Sequence, residues 1–369
     1  MWAADQIGQP YASLVAGLAK REKDREKWME GRLTIAQIEK FAKLTGVPYG
    51  MLFLPTPPQL SRPSIPDLRQ TIDAEPLGND FQEVYEDALA KQQWYIDHLR
   101  QQTDVDLQAL PFVGGFGVGA GHQKVADDIK IRLGISAEMR NKAASPENYF
   151  SVVAEAAEKI GVLVMKTGIV KSKTRKPLSV KEFRGFAISN KFAPLVFVNG
   201  RDADVAAVFT LIHELAHIWI GESGVSDVGD PSKVQQDKTV EVFCNRVAAD
   251  VLVPSQEFLV FWRTLGDITA IAKKFRVSRL VVARRALDLG LIDKNEYLNA
   301  AAQSRLNLPK ENSSGNPYLT IPVRNSKKLT AAVVRSAMTG DTLLRDAAGM
   351  LNVRPDTVME LGRRGKVFG

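Results

Sequence analysis

The sequence predicts an α+β protein that is mostly helical: a small sheet packed beside one long helix, with helix-turn-helix-like helical domains on either side. Three observations carry this. Val205, Val208, Phe209, Ile212, Leu215, Ala216 and Trp219 recur at steps of three and four with no Gly or Pro among them, the period of a helix. Three short apolar runs precede them, Gly161–Met165, Phe183–Ile188 and Pro194–Val198, and the last runs into the turn signal Asn199-Gly200. Helical periodicity also fills both ends of the chain, in Ile35–Leu44, in Ile268–Ile292 and in residues 342–364.

The long helix begins near Asp202 and Asp204, where negative charge suits the helix dipole, and Gly221 stands where a stop is expected. Its middle reads His213-Glu214-Leu215-Ala216-His217. A spacing of four puts both imidazoles on one face, one turn apart, within reach of one ion. This is H-E-x-x-H, in which two histidines bind zinc and the glutamate is the general base. Zn2+ is therefore the expected cofactor and Glu214 the expected catalytic residue. The chain has four histidines, and two of them are here.

A tetrahedral catalytic zinc takes a third protein ligand and keeps one position for water. Val240, Phe243, Cys244, Val247, Ala248, Val251 and Leu252 form a second helical stripe, with Glu241 at its N-terminal edge. A glutamate beside an apolar stripe can be held against the histidine helix, so Glu241 is the best candidate. Asn245, one turn on, is expected to add a supporting hydrogen bond. Glu222, Asp227, Asp230 and Asp237 are rival ligands in a loop-like stretch, and the alternative for Glu241 is an exposed acid at a helix start.

These residues, with Gly221-Glu222-Ser223-Gly224-Val225-Ser226, Glu241-Val242-Phe243-Cys244-Asn245-Arg246-Val247-Ala248-Ala249 and Leu252-Val253-Pro254, resemble the ImmA/IrrE metallopeptidase family, and most of all its long members with an N-terminal Xre-type helix-turn-helix. The resemblance implies a zincin-like metallopeptidase core with Glu241 as third ligand. It implies an endopeptidase that cleaves or controls a regulatory protein, a repressor or an antitoxin. It also implies an alternative: an antitoxin or transcriptional regulator of a toxin–antitoxin system that binds a partner toxin, a PIN-like nuclease in some relatives, without proteolysis.

The expected domains are 1–54, a degenerate Xre-type helix-turn-helix; 55–122, a proline-rich linker and long helix; 123–262, the metallopeptidase core; 263–309, a helix-turn-helix-like extension; and 310–369, a basic C-terminal helix-turn-helix-like segment. In the first, Trp28-Met29-Glu30-Gly31 resembles the close of an Xre recognition helix, but Lys20 and Arg25 occupy positions where core residues are expected. Pro55–Pro66 holds five prolines and reads as a stiff linker; Phe81–Gln102 reads as a long amphipathic helix in which His98 is a packing or surface residue. Gly114–Gly121 lacks Gly-Lys-Ser/Thr and reads as a flexible loop, with His122 after it lacking a ligand-like partner at useful spacing. Lys171–Lys176 reads as an exposed basic loop near the sheet, whose edge is a candidate for pairing with an extended peptide.

Composition is that of a globular protein, 45% apolar and 25% charged, and no apolar stretch approaches the ~18 residues that span a bilayer, so no membrane partner is expected. One cysteine, Cys244, excludes an intrachain disulfide and reads as a buried small hydrophobe; with no signal peptide in view, a cytoplasmic location is expected. The net charge is +7, and residues 310–369 hold ten basic and five acidic residues, a local +5 that makes DNA a second expected partner beside packing or docking.

Overall fold

The computed structural model describes residues 2–5, 10–45, 47, 49–56, 77–102, 106–222, 233–304 and 316–365, the side chains of 5, 233–238 and 301–304 excepted. The described residues divide into two compact units, the first up to Glu83 and the second from Val84 onward.

The first unit is built from short helices: α1 (Trp2–Asp5), α2 (Tyr11–Leu18), α3 (Glu22–Met29) and α4 (Ile35–Thr45). Leu14, Val15, Trp28 and Phe41 make its core, with Trp28 and Tyr11 both set edge-on to Phe41. Thr34 and Gln37 cap α4 reciprocally, the Gln37 side chain accepting from Thr34 N–H at 2.8 Å. Lys20 and Arg25, which weaken the helix-turn-helix pattern in the sequence, are exposed, and Arg25 Nε donates to the carbonyl of Ala19. The linker expected at Pro55–Pro66 lies almost wholly outside the described residues.

The second unit has a three-stranded sheet: β1 (Leu163–Thr167), β2 (Gly185–Ile188) and β3 (Leu195–Asn199). The order is β1-β3-β2, with β1 parallel and β2 antiparallel to the central β3. Each strand begins one or two residues later than its apolar run. At the first, Gly161 takes φ +105 and its N–H closes a turn onto Glu158, so the run starts inside a turn.

Alternation along the strands gives the sheet two apolar faces. Val164, Ala187, Val196 and Val198 face the main core. Phe186 and Phe197 stack on the other face at 4.9 Å, with Tyr85 set against Phe186. Tyr85 belongs to α5 (Asn79–Gln101), whose Gln92 donates to the carbonyl of Ala193 at 2.7 Å. His98 stacks on Trp94 at 5.0 Å, a packing histidine as expected. All four residues of β2 are buried, so that edge is not the open surface expected for peptide pairing.

The main core is helical. α6 (His122–Leu133), α7 (Ala137–Lys142) and α8 (Pro146–Lys159) precede the sheet; α9 (Asp204–Ile220) and α10 (Lys233–Leu252) follow it; then come α11 (Ser255–Leu265), α12 (Ile268–Phe275), α13 (Arg279–Asp288) and α14 (Lys294–Ser304). α9 packs on α8, α10, β2 and β3. The sequence shows one apolar stripe on α9, yet every residue from Thr210 to Ile220 is buried, as befits a helix enclosed on all sides.

α12 and α13 are joined by a short turn at Val277, and α17 (Leu344–Met350) and α18 (Pro355–Arg363) by one at Val353. Before the second pair, α15 (Pro317–Asn325) lies against β1, and α16 (Lys327–Thr339) starts at Ser326, held at φ +67. The Ser326 hydroxyl donates to the buried Glu158 carboxylate, whose pKa burial raises, and Lys328 Nζ donates to the Glu158 carbonyl at 2.9 Å. Among the described residues no helix is long and apolar enough to cross a membrane.

The glycine-rich stretch is not a free loop. Gly114 N–H donates to Ile218 O at 3.0 Å and Phe116 N–H to Trp219 O at 3.2 Å, so it takes up carbonyls at the C-terminal end of α9. Phe112 lies on Trp219 at 4.5 Å, and the Trp219 indole donates to Asp128 at 2.7 Å. Gly114 and Gly221 touch backbone to backbone; a Cβ on Gly221 would stand 2.9 Å from Gly114 Cα, and Gly221 holds φ +74. Gly221→Ala should therefore destabilise the protein by about 2 kcal/mol or more, combining left-handed strain with a backbone clash. Urea unfolding measures it, and an unchanged midpoint would mean that this contact does not hold the loop.

Candidate metal centre

α9 and α10 bring three of the expected residues to one point. His213, His217 and Glu241 each offer a ligand atom, all within 4.8 Å of one another. The two Nε2 atoms are 3.2 Å apart. Glu241 Oε2 lies 3.3 Å from His213 Nε2, and Oε1 lies 2.9 Å from His217 Nε2. Two ligand atoms each about 2.0–2.1 Å from a tetrahedral ion stand roughly 3.3 Å apart. The three separations are near that value, the two to Glu241 being made by its two oxygens.

The chemistry of the donors fits as well. His213, His217 and Glu241 are 2%, 3% and 7% exposed. Both Glu241 oxygens are buried and make no hydrogen bond of good geometry among the described residues. Such a carboxylate is costly unless a cation meets it. Burial alone would raise its pKa; the imidazoles, His213 foremost, outweigh burial and hold the Glu241 carboxyl down at about 2. Two imidazole nitrogens turned towards each other and towards one carboxylate form a donor set for a small divalent cation. Phe209, one turn earlier on α9, stacks over His213 at 6.5 Å.

Glu214 is 4% exposed and lies beside β2. A Cβ on Gly185 would meet Glu214 Oε1 at 3.2 Å, Thr210 Cγ2 at 2.8 Å and the Phe197 carbonyl at 2.6 Å. Gly185 thus gives the Glu214 carboxylate its room. Sequence reading passed over it, although a glycine inside an apolar strand signals a close approach.

Asn245 does not join the group. It is exposed and makes no hydrogen bond among the described residues. At about 100° per residue, the buried face of α10 runs through Val240, Cys244, Val247, Ala248 and Val251, with Glu241 on its margin. Four residues on from Glu241 is roughly 40° further round, past that margin and into solvent. Glu222 is also exposed; Asp227, Asp230 and the side chain of Asp237 lie outside the described residues. Cys244 is fully buried, and burial, followed by the charges of Glu241, Glu214 and Glu222, pushes its thiol well above the usual range.

His122 has a partner that its sequence position does not reveal. Its Nδ1 lies 2.5 Å from Asp250 Oδ2, while Arg285 binds the other Asp250 oxygen and the Val253 carbonyl. The three residues tie α6, α10 and α13 together well along α10 from Glu241.

Residues 157–287 match the family described as the IrrE N-terminal-like domain, peptidase family M78. The matched segment contains the whole sheet, α9, α10 and all four residues of the H-E-x-x-H and Glu241 set, and it supports the metallopeptidase family. Residues 325–364, covering α16 to α18, match a domain of unknown function, DUF8813. No curated protein and no solved structure matches the chain.

If Glu241 completes the triangle, Glu241→Ala should weaken metal affinity by about a hundredfold or more, and Glu222→Ala should leave it near the wild-type value. Competition with a chromogenic zinc chelator ranks the two variants; equal affinity for wild type and Glu241→Ala would place the third ligand elsewhere.

Proposed function

We propose that this protein is a zinc-dependent endopeptidase that cleaves or controls a regulatory protein, a repressor or an antitoxin. The observation that carries the reading is the buried triangle of His213, His217 and Glu241 with Glu214 adjoining it on α9. In this reading the three hold zinc. When bound there, the ion supplies a Lewis acid that polarises the scissile carbonyl and acidifies water. Glu214 takes a proton from the attacking water as the C–O bond forms, and delivers it to the amine nitrogen as the C–N bond breaks. Gly185 keeps that carboxylate uncrowded while it does so. Glu241, held anionic by its imidazole neighbours, offsets the charge of the cation and leaves Glu214 as the group that moves protons.

A second reading is favoured by one observation. His213, Glu214, His217 and Glu241 are all buried, so an ion there would also stiffen the α9–α10 pair without any peptide reaching it. The protein would then be an antitoxin-like scaffold that grips and neutralises a toxin, a PIN-like nuclease among the partners that the family resemblance suggests. In either reading the helix pairs α12–α13 and α17–α18 serve to dock a partner or DNA. Both carry exposed basic side chains: Lys273 and Lys274 at the end of α12, Arg345 and Arg363 on α17 and α18.

Glu214→Gln separates the two. It keeps the size of the side chain and leaves the metal triangle intact, but removes the base. A peptidase should lose cleavage of its partner by about a thousandfold or more while retaining zinc and partner binding. Co-expression with the partner, following partner integrity on a gel together with cell growth, gives the readout. A partner left whole by the wild-type protein, with growth rescue indifferent to Glu214→Gln, rejects proteolysis and selects the scaffold.

A further inference from the structure

Among the described residues, one flank of α11 shows a run of apolar side chains to solvent. Phe258 anchors this helix, fully buried and set against Phe275 of α12. Residues advance by about 100° round a helix, so Val260, Thr264, Phe261 and Leu265 follow one another in that order over roughly 140° of one flank. Val260 is 58% and Leu265 45% exposed, and Phe261 is half-buried between them. The Thr264 hydroxyl donates to the Val260 carbonyl at 3.0 Å, so it is spent within the helix. The strip is therefore apolar along its length.

Cations border this strip on both sides. On one, Arg263 stands about 60° round the helix from Val260. On the other, Lys274 Nζ lies 5.2 Å from the centre of the Phe261 ring, and Lys273 precedes it on α12. Arg263, Lys273 and Lys274 are exposed and make no ion pair among the described residues. The two acids of α11, α12 and the turn between them are already engaged. Glu257 is bound by Arg140, and Asp267 accepts from Ala270 N–H at 2.7 Å as the cap of α12. Exposed apolar side chains that run together mark a place of association, and the charges round them select the charge of what associates.

We propose that this flank of α11 docks an amphipathic helix of a partner protein. Its apolar residues lie on Val260, Phe261 and Leu265, and its acidic residues reach Arg263 on one side and Lys273 and Lys274 on the other. The proposal rests on the reading of this protein as one that acts on a partner, by cleavage or by grip, and adds the chemistry of the segment recognised. An apolar face bordered by acids is the complement of a strip bordered by cations, and helices bind such strips through residues spaced three and four apart. A lipid surface fits less well: basic segments that hold to anionic membranes gather about four to eight cations, and this strip has three. Duplex DNA would use the cations and leave the strip bare. None of these residues belongs to the metal centre, so changing them leaves its ligands in place.

The test uses the full chain and fluorescein-labelled peptides of about four helical turns. The first carries Leu on one face and Glu on the rest, the second the same residues in scrambled order, and the third Lys in place of Glu. Fluorescence anisotropy should show saturable binding of the first, binding of the second weaker by about tenfold or more, and none of the third. Lys273→Glu with Lys274→Glu, and Val260→Ser with Leu265→Ser, should each weaken the first by about tenfold or more. Lys40→Glu with Lys43→Glu makes the same change of charge on exposed residues of α4 and should leave binding unchanged. A zinc chelator should leave it unchanged as well, so the docking surface stands or falls separately from cleavage, which Glu214→Gln tests. No saturable binding, equal affinity for the scrambled peptide, or equal weakening by the α4 pair overturns the proposal. Tighter binding of phosphatidylserine vesicles or of duplex DNA than of the first peptide, lost on Lys273→Glu with Lys274→Glu, overturns it in favour of a lipid surface or nucleic acid. Should the serine pair fail to fold, the lysine pair, on exposed side chains, still decides the matter.

Discussion

Everything in the second unit turns on two imidazoles and a carboxylate held about 3 Å apart inside an apolar core. Polar groups of this kind are costly to bury, and side-chain packing alone would drive them apart or out to solvent. They stay together because α9 is enclosed on all sides and α10 lies along it, so neither helix can roll to expose its ligands. Trp219, Leu211, Ile212 and Leu215, each fully buried, supply on the order of 2 kcal/mol apiece to keep the helix in place. The apolar residues of α9 are thus as much a part of the site as its histidines.

The sheet serves the same end with its two faces. The face carrying Val164, Val196 and Val198 braces α9, and Gly185 on the edge strand leaves space at Glu214. The opposite face carries the aromatic stack and, beside α5, the buried Lys91–Asp87 ion pair. Three strands therefore separate the ligand triangle from the aromatic face that packs on α5.

Local patterns were legible in the sequence. His213, Glu214 and His217 could be read from spacing, Glu241 from its place at the margin of an apolar stripe, and Gly221 from its place at the end of a run. The helix pairs about Val277 and Val353 were legible for the same reason: their signals lie within a few residues. Asn245 failed because a step of four is not a full return on a helix of 3.6 residues per turn, and near the edge of a buried face that remainder decides between core and solvent. The partnership of His122 with Asp250, and of Gln92 with the Ala193 carbonyl, spans more than a hundred residues. No local period encodes it. The glycine run misled for the opposite reason: its flexibility in sequence is what lets its backbone press against Gly221.

That press has a consequence for how the protein is made. The last carbonyls of α9 are taken by amides about a hundred residues earlier in the chain. Closing a loop of that size costs entropy before any contact repays it. The histidine helix caps its last turn with its own Gly221 and Glu222 amides, but it must dock on the strap at Gly114, made before it, and wait for α10, which comes after it. The ligand triangle is complete only once α10 has packed on α9 and brought Glu241 to the two imidazoles. During that interval the imidazoles are apart and no ion can be gripped by all three donors. A chain stalled halfway would carry the motif without the ligand triangle.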